Sequence, residues 1–138
     1  MNDQHEKTFR ILLVDDTEQI RRIIIHFLNR LLRCDIYQAV DGLDGIEKML
    51  EVKPDLIITD IVMPRMNGLE FLGFVNQHES QQDVPVIVLT SQDDENTFLQ
   101  ALKLNIVAFL PKPFQPESLM EILRDVVPRQ HFLEDQQS

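Results

Sequence analysis

Asp15 and Asp16 stand side by side at the end of an apolar run, in "ILLVDDTEQIRRIIIHFL". Two adjacent carboxylates at the rim of a core repel each other and lose hydration, so their presence asks for a compensating partner. Asp60 closes another run, in "DLIITD". Thr90 and Ser91 follow a further one, in "VPVIVLTS", and Lys112 follows the last, in "FLPKPF". Crowded carboxylates are relieved by a hard divalent cation. An oxygen-only donor set, without His or Cys, suits Mg²⁺ or Mn²⁺, and Mg²⁺ that keeps open positions commonly meets phosphoryl groups. The lysine offers a point charge to a phosphoryl oxygen, and the threonine offers a hydrogen bond. One carboxylate is left to act as nucleophile, and its attack on phosphorus gives an aspartyl phosphate.

Taken singly, each residue has an ordinary explanation. Asp16, with Gln19 three positions on, fits an N-cap of the following helix. Asp60 reads equally as a loop carboxylate, Thr90 or Ser91 as a helix cap, and Lys112 as a solvated charge. What argues for a site is their recurrence at the same ends of four different strands.

Those strands are predicted over 10–14, 35–39, 55–59, 84–89 and 106–110. Between and after them, apolar residues recur at helical spacing. The helix over 17–32 carries Ile20, Ile23, Ile24, Phe27, Leu28 and Leu31 on one face. Helices over 43–52 (Ile46, Met49 and Leu50 inward), 69–77, 94–104 and 116–127 (Leu119, Ile122, Leu123 and Val126 inward) follow. Pro64 and Asn67-Gly68 mark a loop, and Asn105 is expected to close the fourth helix in the left-handed conformation. The strands are continuous Val/Ile/Leu runs, as for parallel strands covered on both faces. The fold class is therefore α/β, a doubly wound open parallel sheet, whose ligands sit beyond the carboxyl ends of the strands. The 35–39 strand, with Gln38 and no chemical group behind it, reads as an edge.

At 138 residues the chain is expected to form one domain over 9–127, with flexible tails at 1–8 and 128–138. No apolar run approaches the roughly 18 to 20 residues that span a bilayer. The N-terminus has no apolar signal segment, so membrane insertion is not expected and a cytoplasmic location is. A net charge of −10 argues against nucleic-acid binding. The lone Cys34 can form no internal disulfide and reads as an inert small side chain. Met120 and Val127, and Leu99 and Leu104, lie off the inward faces of the last two helices. They read either as a partner surface or as a widened core stripe. Arg21 and Arg22 read as solvated charges.

The motifs "LLVDDTEQIRRII", "AVDGLDGIEKML", "PDLIITDIVMPRMNGLEFL", "VPVIVLTS" and "FLPKPF" together resemble the receiver domains of two-component response regulators, of the chemotaxis-receiver type. The resemblance spans about 9–127 and implies a flavodoxin-like sheet of order 2-1-3-4-5. It implies Asp60 as phosphoacceptor, with Mg²⁺ held by Asp15, Asp16, Asp60 and the Val62 carbonyl. Lys112 would contact the phosphoryl group, and its bond to Pro113 would be cis. Thr90 and Phe109 would be the switch pair, altering the surface of the fourth helix, fifth strand and fifth helix. Implied partners are a histidine kinase or histidine phosphotransfer protein and a downstream protein target. The resemblance implies no turnover beyond the chain's own phosphorylation and dephosphorylation. The family tunes phosphoryl lifetime at the positions of Val62 and Gln92; an aliphatic Val62 cannot position water, so a long lifetime is expected.

Three other readings compete. A phosphorylation-independent adaptor would keep the fold but has no use for this full set of residues. A haloacid-dehalogenase-like phosphohydrolase needs a second aspartate two positions after the nucleophile, where Val62 stands. A flavodoxin needs a hydroxyl- and glycine-rich phosphate loop, and "VDDTEQ" is its electrostatic opposite.

Overall fold

The computed structural model describes residues 8–61, 63, 66, 68–79, 81, 83–90 and 104–133. The apolar runs form strands β1 (Phe9–Val14), β2 (Cys34–Ala39), β3 (Leu56–Asp60), β4 (Val86–Thr90) and β5 (Ile106–Pro111). The described helices are α1 (Glu18–Leu31), α2 (Gly42–Val52), α3 (Gly68–Gln77) and α4 (Pro116–Val126). All strand pairs are parallel, in the order β2-β1-β3-β4-β5. This is the doubly wound α/β sheet and the strand order that were expected. The helix expected over 94–104 lies outside the described residues.

Successive side chains of a strand point to opposite faces. Ile11 and Leu13 of β1, Leu56 and Ile58 of β3, Ile87 and Leu89 of β4 and Leu110 of β5 share one core with α1 and α4. Leu12, Val14, Ile57, Val86 and Val88 share the other with Met49 of α2 and Phe71, Leu72 and Val75 of α3. Both faces are dry, which is why these strands show no alternation. β2 lies at one edge, and its Gln38 is exposed.

Local chemistry sets where the helices start. Asp41 accepts a hydrogen bond from the Asp44 N–H, and the Asp44 carboxylate in turn accepts one from the Val40 N–H. This reciprocal pair pins the start of α2. Pro116 opens α4, where its missing N–H costs nothing. α1 has Thr17 at its N-cap, with no side-chain capping bond. Asp16 is therefore not spent on capping that helix.

Several expectations are corrected. Ile23 and Leu50 were placed inward, yet they are 45% and 44% exposed. Each is a full step of about 100° around the helix from a buried neighbour, Ile24 or Met49, and the contact line is narrower than the apolar stripe. Asn105 is not left-handed, since Lys53 is the one non-glycine with positive φ among the described residues. The Asn105 side chain instead reaches across to the Val84 carbonyl, at 3.3 Å. Val127 is buried, and Met120 and Leu104 pack against the cores, so these three widen the core stripe. Leu99 lies outside the described residues.

The segment after Pro128 is not a loose tail up to Leu133. Residues Arg129–His131 make a 3₁₀ turn, and Phe132 pairs antiparallel with Leu32. The Arg33 N–H donates to the His131 carbonyl and the Leu133 N–H to that of Leu31. The His131 ring rests on Phe9, with centroids 4.9 Å apart, and Phe132 packs on the α1/α4 core. Apolar cover for Phe9 and Leu32 is what a polarity-based reading of the tail misses.

Candidate functional site

Parallel register brings the strand ends level. Val14 pairs with Thr59, so Asp15 and Asp60 follow side by side. Asp60 pairs with Leu89, and Thr90 ends β4 opposite Pro111, one residue before Lys112. The Lys112 N–H donates to the Thr90 carbonyl at 2.7 Å, holding the start of the β5 loop against β4. On the other side, the Asp15 N–H donates to the Ala39 carbonyl of β2 at 3.0 Å.

Asp15 is wholly buried and Asp60 nearly so, while Asp16 is exposed. The Lys112 ammonium bridges the two buried carboxylates, donating to Asp60 Oδ2 at 2.9 Å and to Asp15 Oδ2 at 3.2 Å. The other oxygens are also engaged. The Ile61 N–H donates to Asp60 Oδ1 at 2.6 Å, and the Thr17 N–H to Asp15 Oδ1 at 2.8 Å. Burial pushes the Asp15 carboxyl above its ordinary pKa, and the charge of Asp60 adds to this. The Thr17 N–H and Lys112 pull the other way without cancelling it. Burial would depress the Lys112 ammonium, but the hydrogen bonds and charges of Asp60 and Asp15 outweigh it and raise its pKa. The site is thus acidic beyond what one lysine neutralises.

Carboxylate oxygens of Asp15, Asp16 and Asp60 lie within 4.8 Å of one another. Oxygen donors alone at this spacing, two buried and one facing solvent, fit a small hard cation that keeps some of its water. The donor set therefore fits Mg²⁺.

Two glycines hold the loop behind Asp60. The Gly68 N–H donates to the Ile61 carbonyl at 2.7 Å, and the Gly42 N–H to that of Met66 at 3.0 Å. A β-carbon on Gly68 would run into the Asp60 carbonyl oxygen, and one on Gly42 would meet the Met66 carbonyl oxygen at 2.6 Å. Asp60, Ile61 and Met66 can lie this close to the two glycines only because neither carries a β-carbon.

Of the residues singled out in the sequence, Asp15, Asp16, Asp60 and Lys112 come together, and Thr90 lies on the same edge. Phe109 pairs with Val88 in the sheet and is half-buried against the α2/α3 core. The Lys112–Pro113 peptide is cis. Val62, Ser91 and Gln92 lie outside the described residues. Cys34 is half-buried, its thiol pushed up to about 11 by burial and by Asp35, which leaves it unreactive. Arg22 is exposed and pairs with Glu18 at 3.0 Å. Arg21 was misread as solvated. It donates from Nη1 to the Asp15 carbonyl at 2.6 Å and from Nε to Gln38 Oε1 at 2.9 Å. Nothing in the spacing of residues signals that reach. No helix among the described residues is long and apolar enough to cross a membrane.

The response regulator receiver domain family matches residues 11–124. The chain is 36% identical over 121 residues to the chemotaxis protein CheY homolog of Campylobacter jejuni, covering 86% of this chain and 92% of that one. It is 34% identical over 110 residues to hybrid signal transduction histidine kinase D of Dictyostelium discoideum, of which it spans 7%. The chemotaxis response regulator CheY4 of Vibrio cholerae superposes with a TM-score of 0.79 at 29% identity, over 88% of this chain and 100% of that one. With a family match over most of its length and a solved fold that superposes on it, this chain belongs to the response regulator receiver domains, which are signalling switches rather than metabolic enzymes.

Proposed function

We propose that this chain is a phosphorylation-dependent switch whose acceptor is Asp60. The observation that carries the reading is the Lys112 ammonium, 2.9 Å from Asp60 and 3.2 Å from Asp15, inside a cluster of three carboxylates. An Asp60 oxygen attacks the phosphorus of a phosphohistidine on a histidine kinase or phosphotransfer protein. The P–N bond breaks, and the departing imidazole takes up a proton. Lys112 turns from its carboxylate partners toward the incoming phosphoryl oxygens and offsets their charge. Asp15, Asp16 and Asp60, with the Val62 carbonyl, would hold Mg²⁺, which when bound supplies further positive charge to those oxygens. Burial of Asp15 and Asp60 keeps bulk water off the acyl phosphate.

Thr90 then supplies a hydroxyl to the phosphoryl group, and Phe109 packs into the space behind it. The surface carried by β5 and α4 changes with them, and so does affinity for a downstream protein target. Phe109 has no hydroxyl, so this half of the switch works by packing alone.

Intact mass after incubation with acetyl phosphate tests the reading, with and without Mg²⁺ and with Asp60→Asn alongside. One Mg²⁺-dependent phosphoryl adduct on the wild type, absent from the variant, is expected. No adduct on folded wild-type protein under any condition overturns it in favour of a constitutive adaptor.

A further inference from the structure

Asp16 is the exposed member of the acidic cluster, and its carboxylate takes no part in any hydrogen bond among the described residues. With no side-chain bond to hold it, its place within 4.8 Å of the Asp15 and Asp60 oxygens depends on where the backbone puts its α-carbon. The peptide unit joining Asp15 to Asp16 is planar and rigid, so the orientation of the Asp15 carbonyl fixes where the Asp16 α-carbon sits. That carbonyl accepts a 2.6 Å bond from Arg21 Nη1. The same guanidinium is held from its other side, where Nε donates to Gln38 Oε1 at 2.9 Å on the edge strand β2. Its own backbone is fixed in the first turn of α1, the Arg21 N–H donating to the Thr17 carbonyl at 3.1 Å.

The other polar atoms of Asp15 are engaged as well: its N–H on the Ala39 carbonyl, Oδ1 with the Thr17 N–H, Oδ2 with Lys112. Arg21 completes this set. We infer that Arg21, braced by Gln38, is a positioning residue for the cation site: it locks the Asp15–Asp16 peptide and so keeps the exposed Asp16 carboxylate within 4.8 Å of those of Asp15 and Asp60. A planar fork suits the task, because one guanidinium can bond two acceptors in fixed directions, which an ammonium cannot. The inference rests on the receiver reading, since it concerns the site that reading assigns to Mg²⁺.

Charge alone predicts the opposite outcome. A cation beside three carboxylates repels Mg²⁺, so removing it should tighten binding. Positioning predicts weaker binding, by roughly tenfold, as for other groups that orient metal ligands. The experiment is calorimetric titration of Mg²⁺ into phosphodonor-free wild type, Arg21→Met, Arg21→Lys and Gln38→Ala. Thermal midpoints in EDTA accompany it. Arg21→Met is expected to raise the Mg²⁺ Kd about tenfold. Arg21→Lys should fall between it and wild type, and Gln38→Ala should shift in the same direction by less. If Arg21→Met does not fold, the other two variants decide alone. Unchanged or tighter Mg²⁺ binding in folded variants overturns the inference and leaves the receiver reading standing. A wild type that takes up no Mg²⁺ overturns both.

Discussion

Gly68 sits where a β-carbon would strike the Asp60 carbonyl oxygen and lie 2.7 Å from the Ile61 α-carbon. Backbone cannot give way as a side-chain tip can, so Gly68→Ala should cost about 1–3 kcal/mol in urea unfolding. Gly73 is the control: a β-carbon there meets nothing within 4 Å. Within α3, Gly73→Ala should stabilise by about 0.4–1 kcal/mol. Lys112 has a pKa raised above its ordinary 10.5. Above that value the folded state keeps a proton that the unfolded chain has released. The stabilisation is thus complete below about pH 10.5 and is lost as pH rises through the folded value. Urea midpoints followed from about pH 9 upward should fall more steeply for wild type than for Lys112→Met. Val62 carries no polar side-chain atom to hold an attacking water. The phosphoryl group on Asp60 should therefore last minutes or longer, and Val62→Asn should shorten it; decay of the wild-type adduct within seconds contradicts this.

Among the elements, the C-terminal segment carries weight that its composition hides. Phe132 joins the α1/α4 core, and the backbone bonds of Arg33 and Leu133 tie the segment to the end of α1 and the start of β2. Truncation after Pro128 uncovers Phe9, Leu32 and the partners of those bonds. A loss of about 1–3 kcal/mol is expected, read as a lowered unfolding midpoint in 1–128 against the full chain. A midpoint that does not move would mean that the turn merely rests on the surface. The helices carry a related lesson. Periodicity predicts which face of α1 and α2 is apolar, but how far each helix is rolled on the sheet follows from what packs beside it. Ile23 and Leu50 fall outside the contact for that reason.

For the molecule as a whole, charge is the governing quantity. The chain carries −10, and two buried carboxylates share one lysine. A cation that binds only the folded state stabilises it, by about 2.7 kcal/mol at a hundredfold excess over Kd. Mg²⁺ should therefore raise the thermal midpoint of the wild type and raise that of Asp16→Asn much less. Sodium chloride at matched ionic strength screens general repulsion and should move both proteins alike.

The elements and the chemistry at their ends can be read along the chain. Continuous apolar strands and helically spaced stripes are local signals, and once the sheet is parallel, residues behind successive strands must share an edge. Asp15, Asp16, Asp60, Thr90 and Lys112 were legible for that reason, and the receiver motifs supplied the strand order. Which atoms meet follows from the packed fold. It split Lys112 between Asp60 and Asp15, left Asp16 facing solvent, and packed Val127 and Phe132 into the core. It also sent Arg21 back across the β1–α1 turn to the Asp15 carbonyl. The physical reason is the same in each case. Long side chains and chain ends choose partners by distance in space, and no local periodicity encodes that distance.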